Sequence, residues 1–486
     1  MKNLLCLILF STLLCCKGPG TGTAETVEKK SIVKIDPSIE KGIVDPKIMG
    51  FNIVYSYAPD SIWDRGDGKI PLLLEKLGTK ILRYPGGTVV THFHWEEPTG
   101  QGWVDNWDPS FDPSQNSPES EFMDIDEYLD VCQKRGIEPL VGINLGSGKK
   151  YNRVDDGIEE ARQLMRHFQR RGMKVRYFYL DNEPYHKTAN FVFTAEEYGD
   201  MVNQYVKAMK EIDNEIEIIV NSHPRNFEYT MNLIEEAGEN IDFIDIHYYW
   251  NWGNATYENW KSQKVMEQGS TNLKYRDQRS FYLNIADSLG YPEIDLVALE
   301  WNIGRTGSGN VQPTEAEAAL MVGEQFMQFI QSGMPMATFW PVSWPQKTQW
   351  SNRALLDAQR DYEPNKVYEM FKMYESILGQ QKVASFSSDE GIQTLGVMSQ
   401  NRETLWVYLI NKNSEQTSRQ VDLELNDVPT YVVEEAVGFD ADDSIPTKLN
   451  IKTLNVRKVG PGKFNVIIPK FSFAKVTFVK EAKNDY

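Results

Sequence analysis

From residue 47 onward, short runs of β-branched and aromatic residues alternate with longer segments of helical period. That is the pattern of repeated βα units, whose successive strands pair in parallel. Eight runs are predicted as strands, at 47–53, 79–84, 138–144, 175–181, 217–221, 243–247, 296–300 and 336–340. Of the predicted helices between them, 157–171 is amphipathic, 194–212 opens with Thr194 and Glu197, and 314–332 opens with Thr314 and Glu317, both at the spacing of a capping box. Gly136, Gly172 and Gly333 stand where a left-handed C-terminal cap is wanted. With a last helix near 365–378, the eight alternations predict an α/β fold closed as a (β/α)8 TIM barrel over 47–379. A doubly wound open sheet would show fewer strands and a Gly-rich phosphate loop after the first, and the chain has no such loop.

After residue 380 only strands are predicted, at 392–398, 405–411, 419–425 and 464–469, separated by Asn, Asp, Gly and Pro turns. They give a C-terminal β-sandwich over 380–486. The segment 31–46 also reads as strands and is expected to pair with that sandwich. At 486 residues the chain suits one large barrel plus this smaller module.

Ahead of the fold, Met1-Lys2-Asn3 and the apolar run 4–14 resemble a secretion signal, too short to span a bilayer. Leu13-Leu14-Cys15-Cys16 resembles a bacterial lipoprotein box, with Cys16 as the lipidated residue. The expectation is a lipoprotein signal peptide at 1–16, a flexible tether at 17–30, and an exported, membrane-anchored protein in the periplasm or on the cell surface. Beyond Cys16 only Cys132 remains, so no disulfide is expected. A formal charge of -18 disfavours nucleic acid and anionic membrane surfaces as partners.

In an α/β barrel, reactive groups belong at the carboxyl ends of the strands. The fourth predicted strand ends Asp181-Asn182-Glu183-Pro184 and the seventh ends Glu300-Trp301-Asn302. Glycoside hydrolysis needs two such carboxyl groups, one to protonate the leaving group and one to attack or to activate water. Either glutamate alone could be an ordinary acidic residue near a helix start, one of 69 in the chain. Both together, across the barrel mouth, point to a site. Arg83, His247, Tyr248, Tyr249, Trp340 and Trp344 lie at or just past other strand ends, where they suit orienting a carboxylate and stacking on a sugar face. His92 and His94 alternate as zinc ligands on one strand face could, but with no third ligand of suitable spacing no metal is expected.

These stretches resemble glycoside hydrolase family 51, the α-L-arabinofuranosidase family of clan A. The resemblance runs through Ser31 to Asp36 and Ile48 to Gly50, Arg83-Tyr-Pro-Gly-Gly87 with Trp95-Glu96, Ile143 to Gly148, Asn182-Glu183, Asp245-Ile-His-Tyr-Tyr249 and Glu300-Trp-Asn302. It implies Glu183 as general acid/base and Glu300 as nucleophile of a retaining enzyme, the carboxyls roughly 5 Å apart. Arg83, Asn144, Asn182, His247, Tyr249, Trp95, Trp340 and Trp344 are then expected around the sugar. No cofactor is implied, the partner is a plant or algal polysaccharide or its oligosaccharides, and homo-oligomers are left open. The chain departs from the family at the first-strand glutamate, which falls near Val54, at the asparagine after the Gly-Gly pair, here Thr88, and at Asp181 and Pro184. Losing a charged acceptor alters sugar selection without touching the carboxylates. Asp-Asn-Glu-Pro and the aromatic stretches 248–252 and 340–350 keep an endo-β-glycanase on glucan, xylan, galactan or agar as an alternative. A surface glycan-binding lipoprotein without catalysis, or a barrel that only displays the sandwich, are the readings of other classes.

Overall fold

The computed structural model describes residues 30–269, 271–414, 418–426 and 431–481. The signal peptide, Cys16 and nearly all of the tether expected at 1–30 lie outside these residues. Eight parallel strands form the barrel: Gly50–Asn52, Ile81–Tyr84, Glu138–Ile143, Tyr177–Leu180, Glu217–Ser222, Phe243–Ile246, Asp295–Ile303 and Ala337–Phe339. Ala337–Phe339 pairs with both the seventh strand and the first, which closes the cylinder. Both faces of a barrel strand are covered, so the strands read as continuous apolar runs such as Tyr-Phe-Tyr-Leu at 177–180. Their inward residues Ile81, Leu140, Tyr177, Tyr179, Ile219, Val297, Leu299 and Met336 pack as one cluster inside the cylinder. The outward ones pack under the helices.

The differences from the predicted spans have local causes. The first strand begins only at Gly50, because Asp45 accepts from the Lys47 amide and starts a 3-10 turn at Pro46–Ile48. The seventh strand runs on to Ile303, because Trp301, Asn302 and Ile303 pair with the short strand Tyr248–Trp250. The helices Ala195–Lys210 and Glu315–Ser332 carry complete capping boxes, Thr194 with Glu197 and Thr314 with Glu317. Gly136 and Gly333 take left-handed caps at φ 60 and 73.

The C-terminal strands belong to one ten-stranded sheet rather than two separate ones. Lys463–Pro469 and Ser472–Lys480 have five strands between them in that sheet, yet Phe464 and Phe478 meet at 4.9 Å. The sheet therefore curls over on itself, enclosing Val33, Leu405, Val421, Leu423, Val466 and Val476 in a core of its own, as a sandwich does. Ser31–Ile43 is an interior strand of it, antiparallel to Gln381–Ser387 and parallel to Ser418–Leu425.

Barrel and sheet are joined at the helix Glu315–Ser332, whose residues from Ala316 to Ile330 are nearly all buried. Glu324, midway along it, forms a fully buried ion pair with Lys412 at 2.9 Å. Its other donors are the Trp260 indole at 2.5 Å, the Met266 amide at 2.6 Å, Gln393 Nε2 at 2.6 Å and Gln328 Nε2 at 3.4 Å.

Candidate active site

The fourth and seventh strands deliver Glu183 and Glu300 to the same end of the barrel, and one imidazole measures their separation. His247 Nδ1 lies 3.0 Å from Glu183 Oε1 and 3.8 Å from Glu300 Oε2. The two oxygens are therefore within about 7 Å of each other, short of most of the range for carboxyl pairs that admit a water between them.

Glu300 is 8% exposed and held by two donors. Tyr249 Oη donates to Oε1 at 2.6 Å and Arg83 Nη1 donates to Oε2 at 3.1 Å. Arg83 is wholly buried, its guanidinium 4.2 Å over the Tyr179 ring, with Nη1 also donating to Asn52 Oδ1 at 3.0 Å and Nη2 to Asn182 Oδ1 at 2.6 Å. One cation thus fixes three strand ends relative to one another.

Glu183 hangs from a distorted turn. Asp181 at φ 62 and Glu183 at φ 44 both take left-handed backbone, which non-glycine residues adopt at a cost and mostly at sites. The turn is pinned by Asp181, whose Oδ2 accepts from the Leu145 and Gly146 amides, and by Asn221, whose Oδ1 accepts from the Glu183 amide at 3.1 Å. Burial pushes the Asp181 carboxyl up to about 7, against the pull of these amides.

His247 lies 3.1 Å from Asp245 Oδ2 through Nε2, without the alignment of a hydrogen bond. Burial works against its charge, but the charges of Glu300 and Asp245 outweigh burial and hold the imidazole up to about 10. Burial likewise pushes Glu183 up, but the hydrogen bond and charge of His247 prevail and keep the carboxyl below the ordinary glutamate range. Both shifts favour the proton on His247 over Glu183.

Aromatic rings wall the site. Tyr249 packs against Trp252 at 5.1 Å and Trp350 at 5.7 Å, Trp350 against Trp344 at 6.1 Å, and Trp344 against Tyr57 at 5.2 Å. Trp344 Nε1 is a buried donor without a partner among the described residues. Trp340 lies over the backbone at Gly87, where a Cβ would come within 2.6 Å of its ring.

Six of the expected residues thus meet: Glu183, Glu300, Arg83, Asn182, His247 and Tyr249. Asn144 and Trp95 are engaged elsewhere. Asn144 donates to Ser147 Oγ and the Phe93 carbonyl, and the Trp95 indole donates to the Glu160 carbonyl and packs on His167. His92 and His94 are not paired on a strand. Gly87–His92 is a 3-10 turn, and His94 is clamped between Glu160 at 2.8 Å and Asp105 at 3.2 Å. Sequence reading does not single out Asn52, Asn221 or Tyr57. The only signal for the two asparagines is a polar residue closing an otherwise apolar strand.

No family model matches the chain. Among curated proteins, the intracellular exo-α-(1→5)-L-arabinofuranosidase 1 of Bacillus subtilis is 23% identical over 483 residues, 85% of this chain and 91% of that protein. Matches to relatives from Streptomyces lividans and Acetivibrio thermocellus span 44% and 50% of those proteins. Among solved structures, a family 51 α-L-arabinofuranosidase from Bifidobacterium longum superposes with a TM-score of 0.70 at 17% identity, over 93% of this chain and 100% of that one. A family 44 xyloglucanase from Paenibacillus polymyxa gives 0.63 at 14%, over 93% and 100%. The resemblance to family 51 read from the sequence holds, and the structures share the barrel-plus-sheet architecture.

The relatives also overturn one expectation. Those from B. subtilis, S. lividans and A. thermocellus are named intracellular, against the exported, membrane-anchored lipoprotein expected from residues 1–16. That expectation rested on an apolar run too short to hold a membrane by itself and on one cysteine beside it, a weak local pattern, and it is withdrawn.

Proposed function

We propose that this chain, similar to glycoside hydrolase family 51 in sequence and in fold, is a retaining glycosidase that removes α-L-arabinofuranosyl residues from plant polysaccharide or its oligosaccharides. The observation that carries the reading is the pair of carboxylates on one imidazole, one gripped by Arg83 and Tyr249 and the other more open to the barrel mouth. In the first step Glu300 attacks the anomeric carbon and the glycosidic bond breaks. The leaving oxygen takes a proton from Glu183, which draws on His247 Nδ1 at 3.0 Å. In the second step a water attacks the glycosyl-enzyme, its proton passes to Glu183 and back to His247, and Glu300 leaves as the carboxylate.

The test is hydrolysis of 4-nitrophenyl α-L-arabinofuranoside followed by NMR of the first-formed sugar. Retained configuration, loss in Glu300→Gln, and a Glu183→Ala variant that azide reactivates with formation of glycosyl azide are expected. Inverted product, or no turnover of any arabinofuranoside by the wild type, would overturn the reading. An endo-acting second reading is favoured by the half-exposed Trp252 beside Trp350, which extends the wall beyond one sugar. Oligosaccharide products from xylan, glucan or galactan would move the assignment there.

A further inference from the structure

Barrel and sheet leave a cleft of about 440 Å³ between residues 382–387 of one sheet strand and residues 265–276 of the barrel. Ligand sites run from roughly 300 to 1,000 Å³, and no residue of the glutamate site lines this one. Its charge runs against that of the chain: Lys41, Lys274, Arg276 and Lys382 face it in a molecule of net charge -18. The carboxylates on its wall are already paired, Asp389 with Arg419 at 3.0 Å and Glu390 with Lys264 at 3.2 Å. Arg276 reaches only Asp277, at 4.0 Å, and among the described residues no carboxylate is paired with Lys41, Lys274 or Lys382.

Lys382 has an ordinary task, donating to the Ile330 carbonyl at 2.9 Å at the end of the helix Glu315–Ser332. Among the described residues the side chains of Lys41 and Lys274 have no such task, and Arg276 has only the long contact to Asp277. The helix Tyr275–Ser288 begins on the rim without a side-chain cap, which adds its positive end to theirs.

One further feature selects among anions. Phe386, 60% exposed, offers a flat apolar face on the same cleft.

We infer that this cleft binds a uronic-acid residue of an acidic polysaccharide, with its carboxylate among Lys41, Lys274 and Arg276 and a ring face on Phe386. Bare phosphate or sulfate would use the cations and leave Phe386 idle; a neutral sugar would do the reverse. The site would hold the enzyme on a charged polymer backbone while neutral branches enter the barrel, and its binding is independent of the glutamates.

Calorimetric titration of the full chain with trigalacturonate, and with galactotriose as the neutral control, tests this. Saturable binding of the acidic sugar is expected, weakened about tenfold or more by about 0.5 M salt and by Lys274→Glu/Arg276→Glu, and unchanged in Glu300→Gln. Phe386→Ala, at an exposed position that leaves every charge in place, should weaken it too. No binding, binding that charge reversal leaves intact, loss in Glu300→Gln, or equal affinity for galactotriose would each overturn the inference. Full displacement by sulfate together with an unaffected Phe386→Ala would reduce the cleft to a bare anion pocket and overturn it as well.

Discussion

Removing the charge of Glu324 while keeping its shape should loosen the joint between barrel and sheet. Glu324→Gln leaves the Lys412 ammonium buried without a counter-charge. It also turns one oxygen into an NH2 group facing donors, since Oε1 accepts from Met266 and Gln393 and Oε2 from Trp260 and Lys412. Breaking a buried pair from one side costs about 3–5 kcal/mol. Lys412 sets a ceiling on the charge part of that cost, because it can escape by releasing its proton. From a reference near 10.4 this costs about 4.6 kcal/mol at pH 7, and about 1.4 kcal/mol less for each unit of higher pH. The sign follows from proton counting: in the variant, folded Lys412 titrates below its unfolded value, so between the two the unfolded chain holds one more proton and stability rises with pH. The gap between wild type and variant should be about 3–5 kcal/mol at pH 7 and narrow toward pH 9. Urea unfolding followed by circular dichroism at both pH values measures it. A loss under about 1 kcal/mol at pH 7, or a gap that does not narrow, would refute the reasoning. Glu324→Gln/Lys412→Met, which removes both charges, should recover more than half of the loss.

Three other outcomes are expected. Tyr249→Phe removes one of two donors to Glu300, a charged hydrogen bond of about 1.5–3 kcal/mol, so kcat/KM on an aryl arabinofuranoside should fall about 10- to 150-fold; a change under about threefold would show that Arg83 alone orients the carboxylate. Asp181, held up to about 7 by burial, keeps a proton in the folded chain that the unfolded chain has released. Wild-type thermal stability should therefore fall as pH climbs from about 4 to 7, and Asp181→Asn should lack that fall. Gly87→Ala puts a Cβ 2.6 Å from the Trp340 ring at a position with φ 54, so the indole must move, visible as a raised KM and a shifted tryptophan emission.

The barrel was legible in the sequence because its signals are local. Apolar runs, the capping boxes at Thr194 and Thr314 and the glycines at 136 and 333 each act within a few residues. Glu183 and Glu300 were legible because a barrel turns the ends of strands into one place. What escaped depends on partners distant in the chain. Asn52 matters only because Arg83 and the Leu299 carbonyl meet it, and the Glu324 network draws on Trp260, Gln393 and Lys412. Asn144 and Trp95 went the other way: their motif marks a strand end, but their hydrogen bonds tie down the neighbouring loops.

The place of Ser31–Ile43 in the interior of the sheet sets an order on biosynthesis. This strand leaves the ribosome before any barrel strand, yet both its neighbours, Gln381–Ser387 and Ser418–Leu425, are made after the last of them. The nascent chain must carry a strand with two bare edges through the whole synthesis of the barrel, an exposure that invites pairing with other chains. It also makes the two ends of the protein one thermodynamic unit: a chain cut after the barrel loses the sheet and strands its own first strand, so the catalytic barrel is not expected to survive as an independent fragment.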